Sequence, residues 1–297
     1  MKRPIATFLS PNASKKDARL ALKLLFLHMY WKDARILARA SEKLAVLFPG
    51  HFISLTSSGR QALFDVLRSY GIKKGDEVII QAFTCIAVPE PILWVGATPI
   101  YADIKKGSYS FDVEDVKKKI TPKTRAIIVQ HTFGIPGPVE EILALTQEKN
   151  IVVIEDCAHA LGVVSAGKKL GSLGDVAILS FGRDKVISSV FGGAVVTKDK
   201  SRSHAIAAMQ SFRKLPPRTW VAKQLFHVVF TTAILPLYFW HQAGKALLVA
   251  AQKVNFISRA VDMEERSAQR PAHIEYSYSP ALALLLIRQL EKLEKMN

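Results

Sequence analysis

Cysteine is nearly missing from this chain: among 297 residues only Cys85 and Cys157 are cysteine, and both fall inside apolar strand or helix patterns rather than at framework spacings. That excludes a disulfide-stapled scaffold and fits a reduced compartment. Cysteine and histidine do not cluster at metal-ligand spacing either, so no metal centre is expected. Acidic residues are scarce against basic ones, 25 against 41, which leaves a formal charge of +16. Such a balance suits anionic partners: nucleotide diphosphates, acidic lipid headgroups or nucleic acid. The basic clusters at Lys117-Lys118-Lys119 and from Arg213-Lys214 to Arg218 read as solvated faces. No RNA-binding signature, zinc finger or basic-aromatic alternation accompanies them, so nucleic acid is not an expected partner. Residues 1–14 hold two prolines and no long apolar run, which excludes a signal peptide and predicts a cytoplasmic chain.

Long charge-free runs are also lacking. The nearest approach, Leu225 to Trp240, is sixteen residues without a formal charge, bracketed by Lys223 and Lys245. It stops short of the roughly twenty residues that span a bilayer. Three readings stay open for 225–240: a buried or dimer-facing hairpin, a segment lying on the inner membrane surface, and a true span.

What the chain does have is a composition that is 49% hydrophobic, enough for one large core with a smaller appendage. Two amphipathic helical stretches fill Lys15 to about Phe48 and break near Tyr30-Trp31. From Phe52 to Thr197 β-rich runs alternate with helical ones, the pattern of a three-layer α/β/α fold around a mostly parallel sheet. The clearest strands are Val78–Ile80, Pro99–Ala102, Ala126–Val129, Ile151–Ile154, Ala177–Ser180 and Ala194–Thr197. Residues 262–277 are polar and loop-like, and a last helix opens at Ser279-Pro280 with Leu282, Leu285, Leu286, Gln289, Leu290 and Leu293 at helical spacing. The expected division is an N-terminal helical segment at 1–50, a large α/β domain at 51–212 and an apolar, helical segment at 213–297.

One lysine and one carboxylate in this pattern point to chemistry. The run Ile151–Ile154 ends in Glu155-Asp156, and ligands of doubly wound sheets collect outside the carboxyl ends of strands. A carboxylate there can protonate a pyridine nitrogen and strengthen an electron sink, which makes Asp156 a candidate partner for pyridoxal phosphate (PLP). Lys185 follows the strand Ala177–Phe181 and the turn Gly182-Arg183-Asp184, so it sits on a loop leaving the sheet. Bonding an aldehyde requires a neutral amine, and apolar neighbours with Arg183 nearby favour one. Ser57-Ser58-Gly59 precedes a helical stretch, Gln61 to Tyr70, so the N–H groups of Gly59, Arg60 and Gln61 would point at an anion. Cys157 reads as a buried, inert thiol.

At these residues the chain resembles the DegT/StrS family of PLP-dependent sugar aminotransferases, within the fold-type I aspartate aminotransferase superfamily. The matching pieces run in family order: Ser57-Ser58-Gly59-Arg60-Gln61-Ala62-Leu63, Gly75-Asp76-Glu77-Val78-Ile79, Gly96-Ala97-Thr98-Pro99, His131-Thr132-Phe133-Gly134, Glu155-Asp156-Cys157-Ala158-His159-Ala160, then Ser180-Phe181 with Lys185 and Gly192-Gly193. The resemblance implies Lys185 as the covalent lysine, Asp156 on the pyridine nitrogen, His159 near the ring hydroxyl and Ser180 on the phosphate. It departs at Arg60, where the family has threonine, and at Cys85, where the family stacks an aromatic ring that Phe83 would have to replace. The family continues into a small C-terminal domain, and the expectation from the resemblance is that 213–297 leads to a truncated form of it.

The implied reaction moves an amino group from an amino acid, glutamate or glutamine, to a keto-sugar carried on a nucleotide, for cell-surface glycan or polysaccharide synthesis. A homodimer is implied with it. A sugar-dehydrating branch carries histidine in place of the lysine, so Lys185 points to the transaminating branch. The alternative is a non-catalytic relative that binds a membrane surface or a partner chain. Another fold-type I enzyme, a lyase or a desulfurase, is a weaker third reading.

Overall fold

The computed structural model describes residues 12–238, 243–253, 256–257 and 269–293. Two helices come first, α1 at Lys15–Phe26 and α2 at Ala34–Leu47. Ser14 and Asp17 cap α1 reciprocally, and Asp33 caps α2 through the Arg35 N–H at 3.0 Å. Between them a short 3₁₀ turn, His28–Trp31, makes the break expected near Tyr30-Trp31. Each helix buries one stripe, Ala21 and Leu24 on α1, and Ile36, Ala40 and Leu44 on α2.

The α/β part then runs β1 (Phe52–Thr56), α3 (Gly59–Ser69), β2 (Glu77–Gln81), α4 (Pro89–Trp94), β3 (Thr98–Ala102), α5 (Val113–Lys119), β4 (Thr124–Gln130), α6 (Val139–Thr146) and β5 (Val152–Asp156). A two-stranded hairpin, β6 (Val164–Ser165) and β7 (Lys168–Lys169), leads to β8 (Val176–Ser180), β9 (Gly193–Thr197) and α7 (Lys200–Ser211). Seven strands form one sheet in the order β1-β9-β8-β5-β4-β2-β3. The pairs β2/β3, β2/β4, β4/β5 and β5/β8 are parallel; β9 alone runs against its neighbours β1 and β8.

Both faces are apolar because successive residues of each strand serve opposite cores. Val78, Ile80, Ala126, Ile128, Val152 and Ile154 pack under α3, α4 and α7. Ile79, Ile127, Val129 and Val153 pack under α5 and α6. On that second face, beside β8 and β9, Ala177, Leu179, Ala194 and Val196 meet side chains of α1 and α2 and of two late helices, α8 (Arg218–Ile234) and α10 (Pro280–Leu293).

Two sequence expectations are corrected. The strand expected at Ile151–Ile154 begins one residue later and runs through both acids, because the Ile151 N–H is spent on the turn carbonyl of Lys149 at 2.8 Å. Cys85 does not lie inside an apolar element. It is exposed, in a turn closed by the Val88 N–H on the Cys85 carbonyl at 3.0 Å.

Of the stretch 225–240, Phe239 and Trp240 lie outside the described residues, as do residues 262–268 of the loop expected at 262–277. Residues 225–234 belong to α8, whose Val221, Leu225 and Val228 are buried in the shared core, and Leu235–Leu237 form a 3₁₀ turn after it. Among the described residues one helical segment, Arg218–Leu237, is long and apolar enough by composition to cross a membrane. A further helix, α9 (Ala243–Lys253), packs on the end of α8 through Leu248 and Ala251.

Candidate active site

Three chain segments converge at the carboxyl ends of β1, β5 and β8. Beyond β1, Ser58 caps α3: its Oγ accepts from the Gln61 N–H at 3.1 Å, so the helix opens at Gly59. Gly59 lies against β8. A Cβ there would meet the Ser180 Cβ at 2.9 Å, so only glycine allows the helix to start this close to the strand. Gly193, at the start of β9, passes so close to the Ser58 carbonyl carbon that an added Cβ would sit 2.5 Å away.

The loop between β8 and β9 is closed at its base, with the Phe181 N–H on the Gly192 carbonyl at 2.8 Å and the Ser189 N–H on the Phe181 carbonyl at 3.0 Å. That loop carries Lys185. The result is a cavity of about 240 Å³ onto which Gly59, Arg60, Cys85, Asp156, Ser180 and Lys185 all open. His159 reaches it from the side, its Nε2 lying 3.1 Å from the Lys185 Nζ.

The alternation of β5 separates its two terminal acids. Asp156 faces the cavity, 6% exposed, with Oδ1 accepting from the Ala158 N–H at 2.9 Å. Glu155 faces the other way into a hub of hydrogen bonds. It accepts from the N–H groups of Gly171, Leu173 and Gly174 at 2.7–2.8 Å and pairs with His131 Nε2 at 2.9 Å. Burial pushes the Glu155 carboxyl up, but these donors and His131 together hold it below its usual range. His131 Nδ1 accepts from the Gly137 N–H at 3.0 Å, which leaves the proton on Nε2 for Glu155. His131, Glu155 and Cys157 lie within 4.8 Å of one another, yet the lone pairs of the first two are already used, so the trio is a structural hub. Burial raises the Cys157 thiol well above its ordinary range, with the charges of Glu155 and Asp156 adding to the effect.

Electrostatics at Lys185 are dominated by close neighbours. Its Nζ lies 2.9 Å from Asp184 Oδ2 as well as 3.1 Å from His159. Burial and the Lys185 charge lower the His159 pKa against the opposing pull of Asp156 and Asp184, so His159 accepts as a neutral ring. Phe133 stacks on that ring, with centroids 5.9 Å apart and planes 14° from parallel. Phe133 holds a φ of 56° and belongs to an exposed aromatic group with Phe83 and Tyr109.

Gln61 does not line the cavity. Its N–H is taken by Ser58, and its buried side chain accepts from the Ser57 N–H at 2.8 Å while donating to the carbonyls of Ile274 and, at 2.9 Å, Tyr276. It ties the turn to the segment before α10. Arg60 opens onto the cavity, but its guanidinium pairs with buried Glu90 at 3.6 Å. Cys85 brings no ring, and Phe83 turns to Tyr109 and Phe133. A stacking surface in this neighbourhood therefore comes from Phe133, which sequence reasoning placed in a motif without a role.

Arg183 lies buried on the same wall, its guanidinium 5.4 Å from the centroid of Phe191. A second, larger hollow of about 600 Å³ lies at the opposite ends of the strands, between Arg125, Lys149, Asp175 and Arg202, and contains none of the predicted residues. Size alone does not select a site; convergence of a lysine, a carboxylate and a helix N-terminus does.

The mostly parallel sheet thus carries a lysine on the loop after β8 and a carboxylate at the end of β5. The chain belongs to the DegT/DnrJ/EryC1/StrS aminotransferase family, whose model matches residues 41–225. It is 41% identical over 150 residues to a GDP-perosamine synthase of Escherichia coli O157:H7, covering 50% of this chain and 41% of the relative. It is 39% identical over 156 residues to a UDP-N-acetyl-3-dehydro-alpha-D-glucosamine 3-aminotransferase of Acidithiobacillus ferrooxidans, covering 52% of this chain and 42% of the relative. Its fold is similar to that of an aminotransferase from Psychrobacter cryohalolentis, with a TM-score of 0.70 at 23% identity over 98% of this chain and 65% of that one. The matches thus span less than half the length of these two relatives.

Proposed function

We propose that the chain holds PLP in this cavity and transfers an amino group from glutamate or glutamine to a keto-sugar on a nucleotide. One observation carries the reading: Lys185 Nζ, the Asp156 carboxylate and the N-terminus of α3 open into the same cavity. The residues fit the cofactor. The Gly59 N–H at the helix start and the Ser180 hydroxyl suit a phosphate, and Gly59 leaves the room that a Cβ would fill. Asp156, nearly buried, suits a protonated pyridine nitrogen.

When bound, PLP supplies the electron sink for breaking a bond at the amino carbon. The protein's own contribution is positioning and proton handling. Lys185, once free of its covalent bond, is the base that moves the proton of the substrate carbon, and neutral His159 orients it from 3.1 Å. Asp156 would hold the pyridine nitrogen, and Phe133 holds the His159 plane. The residues lining the cavity all fall within 51–212, which we assign as the cofactor-binding domain.

The nucleotide-sugar substrate class is supported by the relatives, a GDP-perosamine synthase and a UDP-sugar aminotransferase among them. We place the reaction in the cytoplasm and assign the protein to a homodimer. The exposed Phe83, Tyr109 and Phe133 beside the cavity are a surface that a second copy would cover. Contact with the inner membrane surface is assigned to the apolar stretch 225–240, most of which lies in the helical segment Arg218–Leu237 that is long and apolar enough by composition to cross a membrane. The test is transfer from nitrogen-15 glutamate or glutamine to nucleotide-linked keto-sugars, read by mass spectrometry. Label in the sugar supports the proposal; a PLP-loaded chain that labels none of a GDP-, UDP- and dTDP-linked panel contradicts it.

A further inference from the structure

We propose that Asp184 is a second catalytic group of this site, holding the proton of Lys185 and setting the pH range over which that amine attacks an aldehyde. The proposal rests on the reading of Lys185 as the covalent lysine. Its first support is distance: Asp184 Oδ2 lies 2.9 Å from the Lys185 Nζ, closer than His159 Nε2 at 3.1 Å. A carboxylate at this range favours the ammonium form, and an ammonium has no lone pair to attack with.

Its second support is that the turn is built to bring Asp184 inward. The Lys185 N–H closes on the Gly182 carbonyl at 3.0 Å, and Asp184 folds back over Gly182 so tightly that a Cβ there would meet Asp184 Oδ1 at 3.1 Å. Asp184, Lys185 and Gly182 all line the cavity. Burial pushes the Asp184 carboxyl up, but the charge and hydrogen bond of Lys185 keep it below its ordinary range.

The charged and titratable groups around the cavity come from several segments, Arg60 on α3 and Cys85 in the turn before α4 among them. Asp184 and Arg183 share the loop of Lys185, His159 comes from the turn after β5, and Asp156 from the strand itself. Asp156 and Asp184 both favour a proton on His159, and Lys185 opposes one. With His159 neutral, Asp184 is the base nearest the amine.

The proton balance follows. The Lys185 ammonium, paired with the Asp184 carboxylate, gives one proton to solvent, which frees the lone pair on Nζ. The nitrogen then bonds the aldehyde carbon, and the aldehyde oxygen leaves as water with the two protons that the neutral amine gives up. In the reverse direction the released amine regains a proton from solvent, and Asp184 holds the ammonium at the same place.

The test uses the chain without cofactor. Trace acetylation by acetic anhydride across pH 6 to 10, read by peptide mass spectrometry, follows the neutral fraction of Lys185 against exposed Lys106 as the internal standard. Asp184→Asn is expected to lower the midpoint of the Lys185 profile by about one unit and raise its labelling about tenfold at neutral pH. Asp184→Glu, which keeps the charge, is expected to retain the parent profile. Superimposable profiles for parent and Asp184→Asn would overturn the proposal, and Asp184→Ser gives the same reading if the amide variant does not fold. Since no PLP is present, a shifted profile in a chain that fails to take PLP would support the role of Asp184 while contradicting the proposed function.

Discussion

His227, on α8, is fully buried, and neither ring nitrogen has a hydrogen-bond partner among the described residues. Burial first, and then the charge of Arg183, lower its pKa from 6.5 to about 3. The unfolded chain binds a proton at this ring below pH 6.5 and the folded chain does not until about pH 3, so the contribution to stability is complete above 6.5 and drains away as pH falls through that window. Urea titrations at pH 4 and pH 7 are expected to show a loss on the order of a few kcal/mol that His227→Leu largely removes. At this scale the sequence was legible where chemistry and backbone coincide. Asp156 and Lys185 could be found because a strand end and the loop after a strand are places where polar side chains reach a ligand. The Gln61 N–H is taken by the Ser58 hydroxyl rather than left for an anion, and the side-chain partners of Arg60 and Gln61, Glu90 and the 274–276 carbonyls, are remote in sequence and could not be read from it. Asp184 was visible as the neighbour of Lys185, but only the fold of the turn brings its carboxylate back to the amine.

The contact between α3 and β8 makes Gly59 a sensitive position of the turn proposed to hold the phosphate. Gly59→Ala is expected to cost about 1–3 kcal/mol through forced displacement. It should also weaken PLP binding at least tenfold, measured by equilibrium dialysis. A second element-scale link is the buried pair that joins α3 to the segment after α7. Arg213 Nη1 and Nη2 donate to the two Asp65 oxygens at 2.7 and 2.5 Å. Burial pushes the Asp65 carboxyl up despite the arginine, so the pair is costly to leave half-made. Arg213→Met is expected to lose about 3–5 kcal/mol, and adding Asp65→Leu should recover most of it. The central strands were legible because both of their faces are apolar. β1 escaped the list of clearest strands because Phe52–Leu55 is only partly covered, and β6 and β7 have two residues each and no apolar pattern to read.

Across the whole molecule, the three segments expected from composition share one hydrophobic cluster. Ala21 and Leu44 from the N-terminal helices, Leu179 and Val196 from the sheet, and Leu282, Leu286 and Leu290 from α10 all belong to it. Composition shows where apolar residues are dense but not which dense regions meet, so the core shared by the three segments could not be read from sequence. Removing residues 280–297 is therefore expected to abolish cooperative thermal unfolding, followed by circular dichroism, rather than simply trim an appendage.

The account as a whole depends on one lysine in one cavity, and the visible absorption spectrum after incubation with PLP, for the parent and for Lys185→Ala, tests it most directly. A band in the parent that is displaced from free PLP and missing in the variant is the expected result. Identical spectra for both chains, matching free cofactor, would contradict it.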